Sequence, residues 1–126
     1  MKLYGEEHGE TLREAYNYAK FLVDIERFEE AKPLLRKFMP VARRVLGDSH
    51  DNTFKIRWYY ARALYRDPGA TLDDLREAVT TLEETTRIAR RVLGGAHPVT
   101  EDIEESLRES RAAFAARETP PSPAPS

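Results

Sequence analysis

Ala42-Arg43-Arg44-Val45-Leu46-Gly47 and Ala89-Arg90-Arg91-Val92-Leu93-Gly94 are the same six residues written twice in a chain of 126. Three residues after each glycine comes a histidine, His50 or His97, and three residues after that a threonine, Thr53 or Thr100. A shortened copy, Leu3-Tyr4-Gly5, leads in the same way to His8 and Thr11. The glycines at 5, 47 and 94 are 42 and 47 residues apart, so the chain is a tandem repeat. A unit of this length is one supersecondary element that buries its apolar face only against its neighbours. The longer second interval has a location. Tyr18-Ala19-Lys20-Phe21-Leu22 aligns with Tyr60-Ala61-Arg62-Ala63-Leu64, and Ala31 to Ala42 matches Ala78 to Ala89. The five extra residues therefore fall within Arg66-Asp67-Pro68-Gly69-Ala70-Thr71-Leu72-Asp73-Asp74.

Inside each unit the apolar residues recur with helical period, and Gly or Pro-Gly punctuation splits the pattern into an A helix and a B helix. The spacing predicts helices at 10–25, 28–46, 51–66, 72–93 and 99–116, and no strand. Asp67-Pro68-Gly69 should end one A helix, because proline disfavours a helical residue before it and glycine accepts left-handed dihedrals. Thr71 or Asp73 can cap the B helix that follows. Pro40 removes a donor inside the first B helix and predicts a kink. In the last helix Val99, Ile103, Leu107 and Phe114 make one narrow stripe among polar residues, as expected of a cap closing the stack. The expected fold is all-α, an α-solenoid of antiparallel helix pairs. It comprises a junction or remnant of a preceding repeat at 1–9, units at 10–47 and 48–94, a capping helix at 95–116 and a Pro/Ser-rich disordered tail at 117–126.

Composition excludes several classes. A formal net charge of −2 gives no global attraction to nucleic acid or anionic lipid, so any basic surface is local. No cysteine is present, which removes thiolate metal sites and cysteine nucleophiles and suits a cytoplasmic chain. No stretch approaches the roughly 18 apolar residues of a membrane span. GxGxxG, GxxxxGK[ST], GxSxG and HExxH motifs are absent, and no cofactor or catalytic role is expected. His8, His50 and His97 sit at equivalent repeat positions. Helices pack about 8–10 Å apart, too far for three such residues to share one metal, so they are expected to order the entry to each A helix.

Leu46-Gly47-Asp48-Ser49-His50-Asp51-Asn52-Thr53 and Leu93-Gly94-Gly95-Ala96-His97-Pro98-Val99-Thr100 resemble the LGxxHPxT junction of tetratricopeptide repeats of the kinesin-light-chain type. Phe28-Glu29-Glu30-Ala31-Lys32-Pro33-Leu34-Leu35 is similar to the start of that family's B helix. The resemblance spans about residues 3–116. It implies a right-handed superhelix whose A helices line a concave peptide-binding surface. The chain departs from the family pattern at Glu26, where a small turn residue is usual, at Phe38, and at Arg57, which stands where Ala15 packs in the first unit.

Each A helix divides into two faces. Leu12, Ala15, Ala19 and Leu22 form one, repeated by Phe54, Arg57, Ala61 and Leu64. The other carries Arg13, Tyr16, Asn17 and Lys20, repeated by Lys55, Trp58, Tyr59 and Arg62 with Arg66 a turn further. Side by side these make a basic, aromatic stripe suited to an acidic peptide with an apolar anchor. The resemblance implies a tryptophan-acidic ligand and a backbone-holding role for Asn17. The alternative is that the rings pack between helices while the charges solvate the surface. Residues 1–66 carry a charge of +3 and residues 67–126 of −5, which also suits head-to-tail pairing. Two further functional readings stand beside the peptide groove: a segment of a longer solenoid acting in assembly or self-association through its open N-terminal end, and RNA binding by arginines and stacking rings. The acidic balance makes RNA the weakest.

Overall fold

The computed structural model describes residues 4–118, with side chains from Glu10 onward. Five helices follow one another: α1 Tyr4–Asp24, α2 Phe28–Val45, α3 Asp51–Arg66, α4 Leu72–Leu93 and α5 Pro98–Glu118. They are joined by turns of three to five residues, so consecutive helices run antiparallel. The described residues contain no strand. Each helix packs on the next, and α3 also touches both α1 and α5, whereas α2 and α4 do not meet. The A helices α1, α3 and α5 thus form a close inner row and the B helices a splayed outer one. This curvature makes the A-helix layer the concave side. The architecture is an all-α, tetratricopeptide-like helical repeat.

The core is a continuous seam between the two rows. Leu12, Ala19 and Leu22 of α1 meet Phe28, Ala31 and Leu35 of α2, and Phe54, Ile56, Tyr60 and Leu64 of α3 meet Leu75, Ala78 and Leu82 of α4, all buried. Ile103 and Leu107 of α5 close it. Alanines at 19, 31, 61, 78 and 89 keep the backbones close, while each buried leucine or phenylalanine contributes roughly 1.5–3 kcal/mol.

The repeated hexapeptide and histidine have a clear job. Gly47 and Gly94 take φ of 89° and 92°, the left-handed region that ends α2 and α4. His50 Nδ1 then accepts a hydrogen bond from the Asn52 amide at 3.0 Å, and His97 Nδ1 from the Val99 amide at 3.1 Å. Each imidazole satisfies an orphan donor at the start of an A helix. Thr53 and Thr100 are buried and donate back to the Ala42 and Ala89 carbonyls at 3.3 and 3.5 Å, fastening A helix to preceding B helix. The motif is a joint.

Its first copy behaves differently. α1 starts at Tyr4 and runs through Gly5 and His8, where a remnant junction at 1–9 and a helix start near 10 were expected. Gly47 is followed by Asp48-Ser49 and Gly94 by Gly95-Ala96-His97-Pro98, sequences rich in poor helix formers or breakers. Gly5 is followed by Glu6-Glu7, which favour helix and complement its N-terminus. The His8 side chain lies outside the described residues, as does the tail from Thr119. α2 continues through both Pro33 and Pro40, which face solvent.

Two turns carry the differences between units. After α1, the Arg27 amide donates to the Leu22 carbonyl at 2.8 Å and the Glu26 amide to Val23 at 3.0 Å, a Schellman closure. That closure places Glu26 at φ 62°, where a side chain is strained. Glu26→Gly is expected to raise stability by about 0.5–1 kcal/mol, read as a higher urea midpoint at unchanged slope; a lower midpoint would count against the strain. The inserted turn after α3 is anchored instead. The Asp67 carboxylate accepts from Lys32 Nζ at 2.7 Å and from the Gly69 amide at 2.9 Å, and the Lys32 ammonium holds its carboxyl below the usual range. Arg117 of α5 donates to the Ala70 carbonyl at 2.6 Å. Thr71 and Asp74 then form a capping box at the start of α4.

Candidate binding groove

The inner faces of α1 and α3 meet at Tyr59. This ring is 5% exposed. Tyr16 of α1 meets it edge-on, centroids 5.6 Å apart at 73°, and Trp58 lies tilted beside it at 5.1 Å. Two cations cover the rings: Arg62 stands 5.1 Å from Tyr59 and 5.7 Å from Trp58, and Lys20 stands 5.7 Å from Tyr59. A cation over an aromatic face is attracted by the ring quadrupole, which helps hold both groups in place; Lys20 is also paired with Asp24, whereas Arg62 has no carboxylate partner among the described residues.

Of the residues read from sequence, Tyr16, Lys20, Trp58, Tyr59 and Arg62 therefore form one cluster. Tyr59 serves as its floor rather than as an exposed contact. Arg13, Asn17 and Arg66 lie exposed on the same helices outside the cluster, and Lys55 is drawn to Asp51 at 3.3 Å. Trp58 is both wall and strut, since its Nε1 donates to Ser106 Oγ of α5 at 2.8 Å. Arg57, on the opposite face, is 3% exposed and paired with Glu84 at 2.6 Å.

The electrostatics follow from burial. Burial, then the neighbouring Tyr59, pushes the Tyr16 hydroxyl above the ordinary phenol range, so it stays protonated. The Tyr65 hydroxyl is pushed up to about 12 by burial and by donating to Glu109 at 2.6 Å. Lys20 is held charged by Asp24, 3.0 Å away.

One wall of the groove was missing from the sequence reading. A cavity of about 310 Å³ opens between α3 and α5, lined by Trp58, Arg62, Asp102, Glu105, Ser106 and Glu109. The signal for the last four was present. Advancing Lys55, Trp58, Tyr59 and Arg62 by the 47-residue interval lands on Asp102, Glu105, Ser106 and Glu109. Reading α5 only as a cap hid that it supplies a third A-helix face. The assembled surface presents charged groups and ring faces.

Residues 15–52 match the family model described as tetratricopeptide repeat. No curated protein and no solved structure matches the chain. The match covers the second half of α1, α2 and the junction into α3. It supports a tetratricopeptide-type protein, a class that serves as protein-interaction scaffolds.

Proposed function

We propose that this tetratricopeptide-type chain, resembling the kinesin-light-chain class, is a non-catalytic interaction module that binds an acidic or aromatic-acidic peptide segment of a partner along the A-helix groove. The observation that carries this reading is Arg62. Its guanidinium lies against Trp58 and Tyr59, and its Nε is buried without a hydrogen-bond partner among the described residues. Held over the rings and in no ion pair among the described residues, its terminal nitrogens are the groups that would meet an incoming carboxylate. Lys20 adds a second positive charge across the same ring, and Tyr16 and Trp58 offer apolar surface for an anchor. Lys55 and Arg66 extend the positive stripe along α3 and Arg13 extends it along α1, with Asn17 beside it as an uncharged hydrogen-bonding group.

Acidic peptides with and without tryptophan, titrated into wild type and Lys20→Glu/Arg62→Glu, test this. The charge reversal is expected to weaken binding at least about tenfold while helicity is retained. Equal binding by both proteins, or none by the wild type, would remove the groove reading.

A second reading has its own observation. Tyr18 and Phe21 on α1 and Ile25 in the turn just after it are 54%, 55% and 45% exposed, and the spacing of Tyr18 and Phe21 puts them one turn apart on one face. Such a face suits self-association through the first repeat. Phe21→Glu is then expected to abolish a concentration-dependent rise in mass in sedimentation. A wild type that is monomeric throughout would remove this reading.

A further inference from the structure

The three A helices present equivalent positions to the groove, and the sign of the charge changes along them. Arg13 of α1 and Lys55 of α3 correspond to Asp102 of α5, and Lys20 and Arg62 correspond to Glu109. Tyr16 and Trp58 correspond to Glu105. The groove is therefore an electrical dipole, cationic and aromatic over α1 and α3 and anionic on α5. A uniformly acidic segment lying across the row would be attracted at one end and repelled at the other, because like charges at these distances disfavour binding.

The cavity between α3 and α5 shows what the anionic end accepts. At about 310 Å³ it is large enough for a long side chain, and Trp58, pinned by Ser106, gives it an apolar wall that would line a methylene stem. Of its three carboxylates, Asp102 and Glu109 have no cationic partner among the described residues. Glu105, which lines the cavity, pairs with Arg108 one turn along α5, and Glu109 accepts from the neutral phenol of Tyr65. Arg62 lines the same cavity, yet among the described residues it forms no ion pair with any of the three carboxylates. It stays on the rings. Net negative charge, an apolar wall and side-chain dimensions together specify an ammonium or guanidinium group.

We infer that the partner segment is charge-patterned: an acidic, aromatic stretch over α1 and α3 continues into a lysine or arginine whose side chain enters the cavity beside Trp58 and is held by Asp102, Glu105 and Glu109. This inference rests on the peptide-groove reading and adds the residue that the α5 end selects. A strictly acidic peptide fills only part of the groove. The cationic side chain sets the register and direction of the bound segment.

Selection from a display library of random short peptides tests both levels separately, with wild type and Asp102→Asn/Glu105→Gln as baits. These two side chains are exposed, so the variant is expected to keep the wild-type unfolding midpoint. Wild type should enrich acidic-aromatic peptides that carry Lys or Arg at one end, and the variant should enrich the acidic part without the terminal cation. A selected peptide should lose about tenfold in affinity when its cation becomes glutamine, and nothing when the variant is the receptor. The fluorescence of Trp58, the single tryptophan, reports each titration with tryptophan-free peptides. Acidic binders without a terminal Lys or Arg on the wild type, or the same cation preference on the variant, would overturn the inference and leave the groove reading intact. No enriched peptide on either bait would overturn the groove reading itself.

Discussion

Tyr60→Ala is expected to cost about 3–5 kcal/mol, enough to leave a chain of this size largely unfolded at room temperature. Tyr60 is fully buried at the centre of α3, and its ring fills the space between the two helix rows. Its hydroxyl donates to Glu77 of α4 at 2.6 Å and accepts from Arg36 Nε of α2 at 3.2 Å, so one side chain ties three helices. Packing and hydrogen bonding can be separated. Tyr60→Phe keeps the ring and is expected to cost about 1–2 kcal/mol, because Glu77 and Arg36 are partly exposed and recover water as a partner. Urea unfolding followed by circular dichroism measures both. Equal losses for the two variants would show that the hydroxyl, not the ring, dominates; a loss below about 1 kcal/mol for the alanine variant would contradict the packing.

The second large effect is at Arg57. This guanidinium is buried, with Nη2 at 2.6 Å from Glu84 and Nη1 at 3.6 Å from Asp48, and its Nε has no partner among the described residues. Glu84→Ala strands most of that charge in the interior and is expected to cost about 2–3 kcal/mol, less than a fully buried pair would because water reaches the half-exposed Glu84 carboxylate. Arg57→Met in the same background should recover most of the loss by removing the charge while keeping the volume. The equivalent position in the first unit is Ala15, so the site does not need a cation for the fold. A double variant no more stable than Glu84→Ala alone would show that the Arg57 charge is not stranded by the loss of Glu84 and is met by water instead.

The helices were legible because the chain repeats itself. Gly47 and Gly94, the histidine caps and Thr71 mark ends that local chemistry alone determines, and the observed bounds of α3 and α4 coincide with those expected. The start of α1 was not legible in that way. Glycine ends a helix only when its neighbours also disfavour helix, and Glu6-Glu7 do not. Which groove residues would be exposed was also hidden, because it depends on tertiary neighbours. Tyr59 and Trp58 are adjacent on one helix, yet Tyr59 lies beneath Tyr16 and Arg62 while Trp58 reaches across to Ser106. The acidic wall was written in the period itself and was passed over because α5 has too few apolar residues to announce a full repeat.

The anchored turn after α3 bears on how this molecule comes apart. In a stack where each helix touches only its near neighbours, the ends are free to fray independently, and stability is close to a sum over units. Here α2 and α5 share no direct packing, yet Lys32 of one and Arg117 of the other both grip the segment Asp67–Ala70. Detaching α2 or α5 must release part of this same inserted turn. The insertion that breaks the regularity of the repeat thereby couples α2 through α5 into one cooperative unfolding unit.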